Sequence, residues 1–459
     1  MRGYDKIRTL LSKIRDQSAK IGIIGQGYVG LPLAMAFARK YTVIGYDICE
    51  DMVESLLAGR SHIQDVTTEV LSQFLERTYF PTSNPEGLNQ CDFLIICVPT
   101  PLSEDKIPDL GYIKRACATI KTVLHAGQFV ILESTTYPGT TDEVMVPILE
   151  ETGLIAGIDF GAAYSPERVD PGNKQFPIDK VPTVVGGINA ECTEIAAALY
   201  GSVIERIVPV RDAKTAEAVK MIENIFRNIN IALVNEMALI FERMGINTWE
   251  VIAAAATKPY GFMSFYPGPG IGGHCIPLDP YYMSYRAKKF GFIPRFIETS
   301  GEINEFMKMH VVNLVERGLS RVGKRVYGAK VAVMGLAYKK NINDPRESPA
   351  IKIIEELVNL GADVRVYDPF VPSLATKAGI FTSVGSIKEA LAGAECAVFL
   401  VDHDAFREIS METVKVLMAS PVIVDGKNLF AFGEDEVVYM AIGKGCGLSV
   451  DERNSKRKG

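Results

Sequence analysis

Lys20-Ile21-Gly22-Ile23-Ile24-Gly25-Gln26-Gly27-Tyr28-Val29-Gly30-Leu31 is the stretch on which the fold turns. The apolar run 21–24 has the length of a buried strand, and the pattern 31–39 that follows the last glycine is helical. Between them lies a Gly-x-Gly-x-x-Gly turn. Gly25 allows a tight bend, Gly27 lets backbone approach a pyrophosphate, and Gly30 permits close packing of helix on strand. The turn Gly25, Gln26, Gly27, Tyr28, Val29, Gly30 would then offer free N–H groups to phosphate at the positive end of a helix dipole. Glycine-rich turns are common, so the next element carries more weight. Asp47 closes the apolar run 42–46 and stands about 20 residues beyond the turn, where a carboxylate can hold a ribose diol. It would repel a 2′-phosphate, which selects NAD over NADP. Arg39 and Lys40, just before that run, read as surface charges.

Outward from this turn, apolar runs at 93–98 and 129–132 alternate with helical patterns, as in the βαβ units of a parallel sheet. The stretch 213–244 contains no Pro or Gly and repeats apolar residues at three- and four-residue steps. It predicts one helix of roughly 45–50 Å at 1.5 Å per residue. One small domain cannot enclose such a helix, so it is expected to join two domains and to pack against a second subunit. The alternation resumes with runs at 331–334, 364–367, 397–401 and 422–424 around a helical stretch at 348–360. The expected class is α/β, with two Rossmann-like parallel-sheet domains joined by a long central helix. The expected segments are a surface helix (1–19), a dinucleotide-binding domain (20–208), a central helical dimerisation domain (209–318), a second Rossmann-like domain (319–450) and a charged tail (451–459). The turn 335–338, Gly-Leu-Ala-Tyr, lacks the glycine spacing, so no second NAD is expected there.

Composition narrows the class. With 459 residues, 47% of them hydrophobic, the chain can bury more than one core. A net charge of −6 argues against a nucleic-acid binder, but a few local Arg and Lys could still hold an anionic substrate. No run reaches 18 apolar residues, so no membrane span is expected, and the N-terminus carries no cleavable apolar stretch. Seven of the eight cysteines read as incidental free thiols of a cytoplasmic protein, since no CxxC pair is present.

Cys275 is placed differently. The stretch 266–280, Tyr-Pro-Gly-Pro-Gly-Ile-Gly-Gly-His-Cys-Ile-Pro-Leu-Asp-Pro, is a loop whose bare backbone can lie close to a ligand. A cysteine there is either a small buried hydrophobe or an exposed thiol with Asp279 as a polar neighbour. His274 has no His/Cys cluster around it, so no metal is expected. Taken alone, Lys220 and Asn224 read as a solvated helix face, and Glu167 as a cap or surface acid.

Seven motifs in order lift these alternatives. They are GQGYVGLPLA at Gly25, VPTP at Val98, ESTTYPGTT at Glu133, SPER at Ser165, K-x-x-x-N at Lys220, GGHC-x-x-x-DP at Gly272 and GLAYKKNINDPRES at Gly335. From Lys20 to about Ile442 the chain resembles the UDP-glucose/GDP-mannose dehydrogenase family. The resemblance implies two successive oxidations at a sugar C6 with two NAD⁺. An aldehyde forms first, a cysteine adds to it, the thiohemiacetal is oxidised to a thioester, and water releases the acid. Carried over residue by residue, Cys275 is the nucleophile, and Lys220 and Asn224 stabilise the oxyanion at C6. Asp279 works with Lys220 on a water or proton, while Thr136 and Glu167 hold the water and assist hydrolysis. Pro99, Thr100, Ser134, Thr136 and Arg346 join the glycine turn and Asp47 as cofactor contacts. Glu167, Arg168, Val169, Lys220, Asn224, Tyr266, Gly270, Ile271, Gly272 and Lys339 are the implied substrate contacts. So is Lys427, which replaces an arginine that some relatives contribute from the neighbouring subunit. Pro171 stands where UDP-glucose-type relatives carry a second Glu.

The wording of 133–141, 165–172 and 265–280 is most similar to the branch acting on UDP-N-acetylglucosamine, which makes precursors of surface polysaccharides. UDP-glucose, UDP-N-acetylmannosamine and UDP-N-acetylgalactosamine remain open, in that order. Two other classes stay in view. An NAD-bound regulatory protein that lost catalysis need not keep Cys275, Lys220, Asp279, Thr136 and Glu167 together. A hydroxyacid-type dehydrogenase would not need the thiol.

Overall fold

The computed structural model describes residues 3–63, 65–103, 105–169, 176–273, 276–431 and 437–444. Pro171, His274, Cys275 and the tail 451–459 lie outside the described residues. The chain divides into two compact units, 1–224 with 281–293, and 225–280 with 294–459. The central segment expected at 209–318 is shared between them, the division falling inside the long helix Ala213–Met244.

The first unit is built on eight strands: β1 (Lys20–Ile24), β2 (Thr42–Tyr46), β3 (Tyr79–Thr82), β4 (Phe93–Ile96), β5 (Phe129–Leu132), β6 (Gly161–Tyr164), β7 (Thr183–Gly187) and β8 (Ile207–Pro209). They lie in the order β3-β2-β1-β4-β5-β6-β7-β8, with every pair parallel except β6 and β7. The first six follow the order of a dinucleotide-binding fold, which opens a crevice at the carboxyl ends of β1 and β4. Phe93-Leu94-Ile95-Ile96 and Phe129-Val130-Ile131-Leu132 are wholly buried, as strands covered on both faces must be. The helix Gly3–Arg15 forms as the amphipathic spacing predicts, and its Ile7, Leu10 and Ile14 join the first core. Lys13 reaches Asp92 at 2.6 Å, while the other oxygen of Asp92 accepts the Lys20 amide at the start of β1.

The second unit carries the all-parallel sheet of β9 (Lys330–Met334), β10 (Asp363–Tyr367), β13 (Cys396–Phe399), β14 (Val422–Asp425) and β15 (Val438–Ala441). Its order is β10-β9-β13-β14-β15, with an antiparallel hairpin, β11 (Ser373–Thr376) and β12 (Gly379–Thr382), set apart. The helix Arg295–Arg321 lays Met307, Val311, Leu314, Val315 and Leu319 into this core. The helix Pro349–Asn359 begins at an N-cap Ser348 whose hydroxyl accepts the Ala350 amide, with Pro349 in the first turn where a missing N–H costs nothing. Among the described residues, no helix is long and apolar enough to cross a membrane.

Candidate active site

In the first unit the glycine turn has the geometry its spacing demands. Gly25 has φ +94°, and a Cβ there would stand 2.6 Å from the Cys97 carbonyl oxygen. A Cβ on Gly30 would meet the Gly25 oxygen at 1.8 Å, so helix and strand can pack only through hydrogen. Around Gly27 nothing lies within 4 Å, which leaves a cradle that a side chain would fill and a pyrophosphate can enter. Asp47 follows β2; one of its oxygens accepts the Gln26 amide at 2.7 Å and the other the Cys49 amide at 3.0 Å. These residues fit a dinucleotide.

The side chain of Gln26 does not face the cradle. It is wholly buried beneath the turn, accepting from the Tyr79 hydroxyl at 2.7 Å and donating to the Ile23 carbonyl at 2.9 Å. Its place in the cofactor site is therefore through its backbone. Tyr28 is 42% exposed, Val29 is half-buried and Pro99 is exposed. Thr100 is buried and its carbonyl accepts from the Tyr282 hydroxyl, while the Ser134 hydroxyl donates to Val98 O at 2.8 Å. Both stitch the strand ends together. Thr136 is also fully buried, and its hydroxyl lies 2.6 Å from that of Thr140, which itself donates to the Tyr137 carbonyl. The Thr136 hydroxyl thereby gives its proton to Thr140 inside the turn. Thr135 beside it keeps partial exposure.

Lys220 is buried, and its ammonium donates to the Glu167 carbonyl at 2.5 Å. The Glu167 carboxylate accepts the Val169 amide, and burial raises it above the usual carboxylate range, against that bond and the charge of Lys220. Asn224, one turn beyond Lys220, is half-buried. Arg168 differs from expectation: it forks onto Glu223, at 2.6 and 3.2 Å, and donates to the Pro182 carbonyl. That bidentate pair braces the segment after β6 against the long helix. Glu217, one turn before Lys220, was not singled out from the sequence. It accepts the Thr141 amide and hydroxyl, each at 2.8 Å, and the Gly139 amide, and burial pushes it up to about 7 in spite of these bonds.

In the second unit the loop on both sides of 274–275 is pinned by a buried amide ladder. Asn235 accepts the Gly268 amide at 2.9 Å and donates to Asn304 at 3.0 Å. Asn304 donates to the Asn228 carbonyl at 3.2 Å, Ser300 donates to the Asn228 side chain at 2.8 Å, and Asn228 donates to the Ile276 carbonyl at 3.1 Å. Asn228 and Asn235 stand seven residues apart, two turns along one helix face. That polar spacing on an apolar helix is the signal the sequence carries for the ladder. Gly272 and Gly273 lie against Tyr338, with Cβ positions 2.7 and 2.8 Å from it, and the Gly273 amide donates to the Arg346 carbonyl at 3.1 Å. Gly270 takes φ +129° beside Asn304 and Lys308, Ile271 is buried, and Asp279 is buried at the start of the helix Asp279–Lys289.

Tyr266 is 52% exposed and stacks on Trp249 at 5.5 Å and 14°. Lys339 is half-buried, and Arg346 forks onto Asp344 at 2.9 and 2.6 Å. Lys427 lies beside the glycine loop, its Nζ 3.1 Å from where a Gly268 Cβ would stand. Burial lowers its affinity for a proton against the pull of Asp402.

The turn after β9 repeats the plan of the first, with Gly335 at φ +98° and Asp368 after β10 in the place of Asp47. Asp368 is saturated, however. Its oxygens accept the amides of Leu336, Ala337, Phe370 and Val371, at 2.6–3.0 Å, and the ring of His403 at 3.0 Å. Because Nδ1 of His403 accepts the Asn341 amide, Nε2 carries the proton given to Asp368. Burial opposes ionisation of Asp368, yet these bonds hold its carboxyl below the usual range. No lone pair is left for a ribose.

A dinucleotide crevice, a buried ammonium beside a basic carboxylate, and a glycine loop pinned at both ends define an NAD-dependent dehydrogenase. Residues 19–204 match the NAD binding domain of the UDP-glucose/GDP-mannose dehydrogenase family, 214–306 its central domain and 332–431 its UDP binding domain. The chain belongs to this family of nucleotide-sugar dehydrogenases and uses NAD. It is 39% identical over 416 residues to a UDP-N-acetyl-D-glucosamine 6-dehydrogenase of Pseudomonas aeruginosa, covering 89% of this chain and 97% of the relative. It is 37% identical over 434 residues to a UDP-N-acetyl-D-mannosamine dehydrogenase of Pyrococcus horikoshii, covering 93% and 99%. The solved structure of a UDP-D-ManNAc dehydrogenase from Pyrococcus horikoshii superposes with a TM-score of 0.87 at 36% identity, over 93% of this chain and 99% of that one.

If Asp47 holds the adenosine ribose, NAD⁺ is turned over in preference to NADP⁺. Asp47→Ala then weakens NAD⁺ binding by about 1–3 kcal/mol, the worth of a charge-assisted hydrogen bond. Titration calorimetry with both cofactors checks this; equal affinities for the two in the unaltered protein count against it.

Proposed function

We propose that the chain oxidises the C6 alcohol of a UDP-hexose to the carboxylate through a thioester on Cys275, with UDP-N-acetylglucosamine as the substrate. The observation that carries the reaction is the pairing of buried Lys220 with Glu167, beside a dinucleotide crevice, in a chain that keeps the family's GGHC loop. When bound at the glycine turn, NAD⁺ supplies the hydride acceptor for each oxidation.

The chain's own residues do the rest. Lys220 and Asn224 stabilise the oxyanion that develops at C6. Asp279, with Lys220, takes the alcohol proton. The Cys275 thiolate adds to the aldehyde carbon to give a thiohemiacetal; loss of its C6 hydride to the second NAD⁺ gives a thioester, which keeps the oxidation level until water attacks. Glu167 takes a proton from that water, a C–O bond forms, and the C–S bond breaks with its electron pair returning to sulfur. The ladder through Asn228, Asn235 and Asn304 fixes both ends of the loop that carries the thiol. Arg346 and the glycine turn hold cofactor, and Tyr266, Lys339 and Lys427 hold the nucleotide-sugar. Cys275→Ser abolishes net acid formation and leaves NAD⁺ and UDP-sugar binding in place, because a hydroxyl is a far poorer nucleophile at neutral pH. Acid production near the unaltered rate in this variant, followed by product chromatography, would rule out the covalent route.

The acetamido sugar rests on the wording of 133–141 and 265–280 and on the relatives named for it, in Pseudomonas aeruginosa and Salmonella typhi. Relatives named for UDP-N-acetyl-D-mannosamine are of similar identity, so that epimer, rather than glucose, is the second reading. A pocket shaped for the acetamido group leaves a void when glucose binds, worth roughly 1–3 kcal/mol, or about 10–200-fold in kcat/KM. Comparing kcat/KM for UDP-N-acetylglucosamine, UDP-N-acetylmannosamine and UDP-glucose at one NAD⁺ concentration checks this. UDP-glucose turned over as well as the acetamido sugars defeats the assignment while sparing the 6-dehydrogenase reading.

The active species we propose is a homodimer formed through the long helix. Phe226, Leu233, Ile240 and Met244 stand at seven- and four-residue steps along it and are 40–63% exposed, an apolar stripe that a symmetric partner would cover. Light scattering at micromolar concentration is expected to give twice the chain mass. Monomer with full activity would refute it.

A further inference from the structure

Glu133 takes no part in the reaction as set out above, although it is one of the most deeply buried acids of the first unit. It directly follows β5, and Glu167 comes three residues after β6, the next strand, which pairs with β5 in the register Leu132 to Tyr164. The two side chains line one small cavity together with Leu33, Arg168 and Tyr200. Glu133 is 4% exposed, and one of its oxygens accepts the hydroxyl of Tyr200, itself 1% exposed, at 2.6 Å.

The ionisable groups around it are few: Tyr200 from the helix Ala190–Gly201, Cys97 beyond β4, and Glu167 and Arg168 beyond β6, with Lys220 of the long helix behind Glu167. Both cations are engaged elsewhere, Arg168 by Glu223 and Lys220 by the Glu167 carbonyl. Two carboxyls in one low-dielectric cavity without a cation between them do not both ionise. Burial, and then the charge of Glu167, push Glu133 well above the usual carboxylate range, while the Tyr200 bond opposes this. Glu167 is also raised by burial, but the Val169 amide and Lys220 hold it back, so Glu167 ionises first.

We propose that Glu133 is the proton-holding partner of Glu167: the pair keeps one proton, on Glu133, and this leaves Glu167 as the base that acts on the hydrolytic water. The proposal rests on the thioester reading of Cys275. In the step itself, the water proton goes to Glu167, the new C–O bond forms, and the C–S electron pair returns to sulfur, while the proton of Glu133 stays in place. Once Glu133 ionises, a second buried negative charge opposes the oxyanion that develops on the thioester carbonyl, and hydrolysis slows.

Infrared difference spectra of the full chain, taken across pH without substrate, read the proton directly. Glu217, pushed up to about 7, gives an un-ionised carboxyl band that fades around that pH; the unaltered protein is expected to show a second band, from Glu133, that persists above it. Glu133→Gln removes it. Tyr200→Phe keeps it at a shifted frequency and moves its loss to higher pH, because the phenol no longer favours the ionised form. In single-turnover experiments, hydrolysis in the unaltered enzyme falls about tenfold per pH unit above the second ionisation of the pair. Glu133→Gln lacks that alkaline limb and retains the acid limb of Glu167. If Glu133→Gln does not fold, the shift of both the band and the limb in Tyr200→Phe carries the test. Absence of the second band, or an alkaline limb unchanged in both variants, overturns the proposal. Failure of the thioester reading looks different: the unaltered chain makes no acid from any UDP-hexose, whatever the infrared band shows.

Discussion

In the turns that leave the parallel strands, backbone amides beyond the last sheet pairing need an acceptor from elsewhere, and the way they are satisfied shapes the loops around the candidate site. A buried N–H left unpaired costs about as much as a lost hydrogen bond, so an acceptor must be supplied. Here the acceptors are carboxylates. Asp47 serves the turn after β1, Asp368 the turn after β9, and Asp425 the end of β14. Glu217 does the same for the turn at 139–141 from the long helix. Because carboxylates both accept hydrogen bonds and titrate, the residues that hold the loops are also the ones whose chemistry can be tuned.

The comparison between the two sheets shows how one plan yields two outcomes. Asp47 accepts two amides and lies beside an open cradle at Gly27. Asp368 accepts four amides and the N–H of His403, whose ring is flanked by Phe370 and Phe406. The first keeps lone pairs for a diol; the second has none. Duplicate topology therefore does not imply a duplicate cofactor site, since ligand binding depends on unspent hydrogen-bonding capacity more than on strand order.

A similar division separates bracing residues from reacting ones. Arg168, Thr136 and the side chain of Gln26 belong to matched motifs, yet each is committed to a protein partner. Arg168 and Glu223 form a bidentate pair that holds the SPER segment to the long helix, and this keeps the Glu167 carbonyl in reach of Lys220. Motif membership records that a residue is needed. Its partners say for what.

Much was legible in the sequence alone. The runs at β1, β2, β4, β5, β9, β13 and β14 are largely apolar because strands covered on both faces must be, the edge strand β10 shows through Val364, Val366 and Tyr367, and the long helix has bounds that its periodicity and its lack of Pro and Gly define. The glycine turn and Asp47 were readable because the spacing is dictated by local backbone geometry. What escaped were elements whose identity depends on distant neighbours. Gly161-Ala162-Ala163-Tyr164 carries little strand propensity and is β6 because it pairs between β5 and β7, with the Phe129 ring filling the space above Gly161, where a Cβ would stand 2.1 Å away. The strand β3 is interrupted in pattern by Pro81, which its position at the sheet edge tolerates. The amide ladder of Asn228, Asn235 and Asn304, and the meeting of Glu133 with Glu167 and Tyr200, join residues from segments far apart in the chain. Local spacing determines which residues can form a turn or a helix face. Only the packed structure decides which carboxyls share a cavity and which have already spent their charge, because burial and proximity are properties of the fold and not of the neighbours in sequence.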